Sequence, residues 1–291
     1  GHNADIGGAG VVGFNPKARD INDEGVRIPP TRIIEKGKLR RDTWETILSN
    51  VRMRSLVESV LNCQIGATAI GERRLHGILE KYGRCTIESA TDELMRASER
   101  RVRKEIESIP DGEYFSEAWV DNDGIDYELP HKVSLRLVVD GDALTFDFSD
   151  SGPQAKGFIN SPIANTVASA HLALFGAIDH DIRYNDGATS PISVIAPKGS
   201  LLNPVAPAPV AACTVPMCET IAESIWVALS KAQPSIAHAG WARWCTPATA
   251  GINPRTGRPF GDLHFLGKGG SGATEGFDGW DHLSPANTLG G

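Results

Sequence analysis

Val133-Ser134-Leu135-Arg136-Leu137-Val138-Val139, then Asp140-Gly141-Asp142, then Ala143-Leu144-Thr145-Phe146-Asp147-Phe148, is the stretch that decides the fold class. Val133, Leu135, Leu137 and Val139 recur at every second position, as do Leu144, Phe146 and Phe148. A period of two on both sides of an Asp-Gly turn predicts a β-hairpin with one apolar face. Upstream the period is 3.6. Asp42 is the expected N-cap of a helical pattern carried by Trp44, Ile47, Leu48 and Val51 and continued by Leu56, Val57, Val60, Leu61 and Ile65. A second run, 70–82, carries Leu75, Ile78 and Leu79 and ends on Gly83. A third starts near Thr86 or Glu88 and reaches about Ile109. The period changes after Pro110-Asp111-Gly112.

Downstream of the hairpin, 164–178 and 218–232 read as helices, with a short strand at 192–196 and a proline-rich connection at 203–209 between them. Pro16, Pro29 and Pro30 make residues 1–30 a loop region. The expected class is a mixed α+β fold: a helical hairpin or bundle block, followed by antiparallel β-hairpins and further helices. Three segments follow, 1–30 glycine-rich, 31–110 helical, and 111–291 mixed with a glycine-rich loop near its end.

Composition excludes several function classes. The 291 residues are 41% hydrophobic and 22% charged, with a net charge of -7, the make-up of a globular protein rather than a disordered one. That acidic balance, without a basic stripe, argues against nucleic acid as a partner. No apolar run is long enough to span a bilayer, and no secretory signal pattern opens the chain. The five cysteines are scattered and never in a Cys-x-x-Cys pair, so a reducing cytoplasm is the expected location.

Gly8, Gly10, Gly13 and Gly267, Gly269, Gly272 both match Gly-x-Gly-x-x-Gly, but neither precedes a credible helix, and a dinucleotide site needs one to hold its pyrophosphate. Gly267-Lys268-Gly269 fails as a P-loop because Asp262 and Gly269 stand where Gly and Ser/Thr are required. Ser271, in Gly269-Gly270-Ser271-Gly272-Ala273, is one glycine short of a nucleophile elbow and reads as a loop residue. Cys218, near a helix start, is the one cysteine placed for activation. Asp179-His180-Asp181 reads as a solvated loop. The chemical signal is His2-Asn3-Ala4-Asp5-Ile6-Gly7-Gly8: an imidazole and a carboxylate three residues apart, followed by glycines that admit close backbone approach, can give a divalent metal one ligand and one orienting group. Taken alone, Gly1-His2 reads first as a remnant of cloning.

The rest of the chain speaks for the motif. His2 to Gly8, then Glu24-Gly25-Val26-Arg27-Ile28-Pro29-Pro30, Leu48-Ser49-Asn50-Val51-Arg52, Gly71-Glu72-Arg73-Arg74-Leu75, Ser98-Glu99-Arg100-Arg101, Asp147-Phe148-Ser149-Asp150-Ser151, Gly157-Phe158-Ile159-Asn160 and Pro197-Lys198-Gly199-Ser200 resemble, in order and spacing, the B-type subunit of the hydantoinase/5-oxoprolinase family. Cys213-Thr214-Val215-Pro216-Met217-Cys218-Glu219 differs from the Asn-Val-Glu-Thr-Ser-Gln of many relatives.

The resemblance implies a central part of a larger catalytic subunit, preceded by a region bearing an Asp and a Thr-His-x-x-Asp metal motif. It implies an ATP-dependent hydrolase opening hydantoin, 5-oxoproline or lactam rings, with ATP bound by an A-type partner in a hetero-oligomer. It further implies a divalent metal (Zn, Mn or Fe), with His2 as ligand and Asp5 as ligand or close neighbour, poorly held by this part alone. Glu24 and Arg27 are candidate catalytic residues, and Gly267, Gly269, Gly270 and Gly272 a candidate pocket loop. Arg27 suits a substrate carboxylate or phosphate, or a salt bridge to Glu24. Two other roles fit the same family: a subunit of an ATP-dependent ketone carboxylase, and a non-catalytic scaffold for the A-type partner.

Overall fold

Residues 5–8, 15–241, 243, 248–263 and 269–281 are described in a computed structural model. In chain order they form α1 (Ile21–Glu24), β1 (Ile34–Glu35), β2 (Lys38–Leu39), α2 (Arg41–Leu48), α3 (Arg54–Tyr82), α4 (Arg84–Glu107), β3 (Gly112–Val120), β4 (His131–Asp140) and β5 (Ala143–Asp147). Then follow α5 (Ile163–Phe175), α6 (Asp186–Thr189), β6 (Ile192–Ile195), a π-helical turn Cys213–Met217 running into α7 (Cys218–Ala232), a 3₁₀ turn Pro234–Ile236, β7 (Ala248–Ile252) and β8 (Pro259–Leu263).

The deciding alternation is the β4–β5 hairpin, with Leu137 opposite Phe146 and Val139 opposite Leu144. Val133, Leu135, Leu137, Val139, Leu144 and Phe146 all face inward and are buried. The sheet order is β3-β4-β5-β6, antiparallel except that β6 lies parallel to β5. A parallel neighbour requires a crossover, and the segment carrying α5 and α6 supplies it. Helix α7 is buried along most of its length between α5 and strands β3 and β4, and the hydroxyl of Ser116 in β3 donates to the Ser224 carbonyl of α7 at 2.6 Å. The last turns of α4, through Val102 and Ile106, belong to the same core.

Three sequence expectations are redrawn. The pattern from 42 to 65 is two helices, because the side chain of Asp5 takes the backbone N–H groups of Arg52 and Met53 that a continuous helix would use itself. The runs 54–65 and 70–82 are one 29-residue helix, since residues 66–69 contain no proline to stop it. Asp42 lies inside the first turn of α2, whose N-cap is Arg40, and the Arg40 guanidinium holds its carboxyl down to about 2. A second, smaller core of Trp44, Leu48 and Val57 roots α3. Strand β3 lacks a readable alternation because Phe115 and Trp119 point outward while Ser116 points in.

Candidate functional site

The glycines after Asp5 let its segment fold into a slot. Gly7 and Gly8 have φ of +76° and +74°, and a Cβ on Gly7 would stand 2.6 Å from the Asn50 carbonyl. Asp5 itself is 4% exposed. Its Oδ1 accepts the Gly7 N–H at 3.1 Å, and its Oδ2 accepts the Met53 N–H at 2.6 Å and the Arg52 N–H. The Arg52 guanidinium lies 3.9 Å from Oδ1 and also donates to the Gly8 carbonyl at 2.7 Å. On the other side, Val26 N–H donates to the Ile6 carbonyl at 2.7 Å. Residues 5–8 are thus clamped between 23–26 and 50–53, and a cleft of about 260 Å³ with walls such as Ile6, Val26, Ile28 and Ile47 opens beside Asp5.

Glu24, at the end of α1, is buried. Its carboxylate accepts the Val210 N–H at 2.8 Å and the Ala211 N–H at 2.7 Å, from the loop that leads into the π-helical turn. Burial pushes its pKa up, the bonds from Val210 and Ala211 oppose the rise, and Asp23 and Asp20 add to it. Asn160, fully buried, holds the same loop from behind: its amide donates to the carbonyls of Pro209, Ala155 and Gly157 at 2.9–3.0 Å and accepts the Ala155 N–H at 2.7 Å. Arg27 is exposed and has no hydrogen bond or ion pair among the described residues, so it is not the salt-bridge partner of Glu24.

The cysteines beside this loop are not activated. Burial pushes the Cys213 thiol up to about 11, with Glu24 and Cys218 adding to the effect, and burial likewise raises Cys218, the first residue of α7. Desolvation outweighs the helix N-terminus. Asp179 pairs with Arg101, whose guanidinium also donates to the Asp181 carbonyl at 3.0 Å, which ties the Asp179-His180-Asp181 loop to α4.

Gly269, Gly270 and Gly272 are among the described residues, with Gly270 facing the Trp280 carbonyl and Gly272 the Ala239 carbonyl in the segment after α7. A Cβ on Gly272 would lie 1.7 Å from the Ala239 carbonyl, and Ser271 exchanges two hydrogen bonds with Trp280: its N–H to the Trp280 carbonyl at 2.9 Å, and the Trp280 N–H to its Oγ at 2.8 Å. No helix follows among residues 272–281. His2 and Gly267 lie outside the described residues.

One buried pair went unmarked by sequence. Asp123 accepts the N–H groups of Ile125, Asp126 and Gly157 at 2.8–2.9 Å, and His131 Nε2 stands 3.9 Å from its Oδ2 with no hydrogen-bond partner. Burial lowers the His131 pKa while Asp123 and Asp126 pull it up. The available signals were Gly124 and Gly157; a Cβ on Gly157 would meet the Asp123 carbonyl at 1.9 Å.

As for a metal, no three His, Cys, Asp or Glu side chains converge among the described residues, and three N–H groups already occupy the Asp5 carboxylate. These residues do not form a metal site by themselves. Asp5 is built as a clamp that holds residues 5–8 to Arg52 and Met53.

The chain is 33% identical over 289 residues to caprolactamase subunit beta of Pseudomonas jessenii, covering 98% of this chain and 49% of that one. It is 26% identical over 301 residues to the 5-oxoprolinase PfmaA of Pestalotiopsis fici, covering 99% of this chain and 23% of that one. The crystal structure of the ATP-dependent caprolactamase from Pseudomonas jessenii superposes with a TM-score of 0.90 at 32% identity, over 97% of this chain and 49% of that one. A nucleotide-free structure of acetone carboxylase matches in fold alone, with a TM-score of 0.89 at 16% identity over 100% of this chain and 41% of that one. The chain thus spans about half, or less, of the length of these relatives. No described helix is long and apolar enough to cross a membrane. The Hydantoinase B/oxoprolinase model matches residues 1–290, and the chain belongs to that family.

Proposed function

We propose that this chain is part of the B-type subunit of an ATP-dependent hydrolase of cyclic amides, acting with an ATP-binding A-type subunit. The observation that carries the reading is the likeness, in sequence and in structure, to a caprolactamase beta subunit over almost the whole chain. The chemistry accounts for the ATP. An amide carbonyl is a poor electrophile; transfer of the ATP γ-phosphoryl group to the amide oxygen makes its carbon attackable. Water then adds, the ring C–N bond breaks and nitrogen takes a proton, which leaves an amine and an acyl phosphate; a second water releases inorganic phosphate, leaving an acid and an amine on one chain. In this proposal His2 is a ligand of a divalent ion, zinc, manganese or iron, that acts as Lewis acid when bound. Asp5 fixes residues 5–8 to Arg52 and Met53, Glu24 fixes Val210 and Ala211, and Arg27 is free to meet an anionic group of the substrate.

The test is ATP hydrolysis by the complete subunit with its A-type partner, across 5-oxoproline, hydantoins, lactams and ketones, with and without bicarbonate. Stimulation by a cyclic amide, indifferent to bicarbonate and lost in His2→Ala with unchanged thermal midpoint, is the expected result. Turnover only with a ketone and bicarbonate would assign carboxylation instead. Turnover indifferent to His2→Ala would reduce the chain to a scaffold.

A further inference from the structure

The glycine loop opens onto a second hollow, of about 400 Å³, whose walls are the rings of His238, Trp241, Phe277 and Trp280. Ser271 and Thr274 add hydroxyls, and among the described residues Asp278 is the one charged side chain lining it. Asp278 has no hydrogen bond or ion pair among the described residues.

One wall is anchored in the body of the protein. His238 and Trp241 have ring centroids 5.5 Å apart and pack on Trp226 of α7 at 5.0 and 5.3 Å; the Trp226 indole N–H donates to the Ala173 carbonyl of α5 at 2.9 Å. The other wall is fixed through its backbone. Trp280 is held by both bonds to Ser271, and a Cβ on Gly279 would lie 2.1 Å from the Ser271 carbonyl. Yet Phe277 and Trp280 are 77% and 75% exposed. Two large aromatic side chains held in water beside an unpaired carboxylate are a costly surface for folding alone.

We propose that this hollow binds an organic ammonium group. Aromatic faces carry negative charge density, Asp278 carries a full one, and no Lys or Arg among the described residues lines the cavity, so an anion is repelled and a cation attracted. A hard metal ion would need several more oxygen ligands than one carboxylate and two hydroxyls. An alkylammonium presents apolar carbon to the rings and its charge to Asp278. The inference does not rest on the reaction proposed above.

Intrinsic tryptophan fluorescence of the whole chain reads the site directly, because Trp241 and Trp280 line it. Titration with tetramethylammonium chloride and with n-butylammonium chloride is expected to give a saturable change that sodium chloride at equal ionic strength and neutral neopentyl alcohol do not give. Asp278→Asn, at an exposed position that spares the fold, should weaken the ammonium Kd by about three- to tenfold. Trp280→Phe should keep binding and Trp280→Ala should lose it, with circular dichroism confirming that each variant is folded. No saturable change, equal saturation by the alcohol, or an unaltered Kd in Asp278→Asn overturns the proposal.

Discussion

The carboxylate of Asp5 accepts the backbone N–H of Met53 at 2.6 Å, although 48 residues separate them in the chain. With Arg52 and Gly7 as further donors, this side chain is the bolt between the glycine-rich loop and the start of α3. Removing it strands three amides, that of Gly7 buried and those of Arg52 and Met53 part-buried. Asp5→Ala is therefore expected to destabilise the protein by about 2–3 kcal/mol in chemical denaturation, and Asp5→Asn by less, because one oxygen acceptor survives. A loss indistinguishable from zero in Asp5→Ala would show that the clamp contributes nothing.

Glu24 carries a pH dependence of predictable sign. Burial raises its folded pKa above the unfolded value, so its favourable contribution is complete below the ordinary carboxylate range and is lost as pH rises through the folded pKa. Glu24→Gln keeps an acceptor for Val210 and Ala211 without the charge. Its stability relative to the parent should improve from mildly acidic to neutral pH, as measured by denaturation midpoints; an improvement on acidification would reverse the assignment.

His131 has the opposite sign. Burial lowers its folded pKa, so stability is present above the ordinary histidine value and falls as pH drops through that value toward the folded one. Asp123 and Asp126 soften this by favouring the imidazolium. Replacement by Gln should flatten the acid limb of the stability profile between neutrality and the onset of carboxylate protonation. An unchanged limb would place the acid sensitivity elsewhere.

Alkylation should separate the described cysteines. Cys63 and Cys85 are exposed, while the Cys213 thiol, pushed up to about 11, is protonated and largely enclosed at neutral pH. Timed iodoacetamide labelling followed by peptide mass spectrometry should find Cys63 and Cys85 modified well before Cys213 and Cys218. Early modification of Cys213 would contradict its burial.

Two glycines respond oppositely to alanine. A Cβ at Gly157 would stand 1.9 Å from the Asp123 carbonyl, backbone against backbone, so Gly157→Ala should cost about 2 kcal/mol or more. Gly71, inside α3, has nothing within 4 Å, and Gly71→Ala should add about 0.5–1 kcal/mol. Thermal midpoints of the two variants shifting in the same direction would refute the pair.

The loop expected for residues 1–30 holds only the one-turn α1 among its described residues, and the helix expected at 218–232 is α7 to the residue. The β4–β5 hairpin and the helical block also stand in the sequence, because their signals, a period of two or of 3.6, are complete within a dozen neighbouring residues. The strand β6 was legible but not its parallel seat beside β5, which depends on where the crossover returns the chain. The family likeness marked Asp5 and Glu24 as site residues without showing what each would touch. Their partners are the backbone amides of Met53 and of Val210, the latter 186 residues away, and backbone amides leave no trace in side-chain pattern. Asp123 with His131, and Asn160 with Pro209, are of the same kind. Local periodicity fixes which elements form. Which buried polar group meets which distant amide is settled only when those elements pack, since each such group, once out of water, must be satisfied by whatever the fold brings within reach.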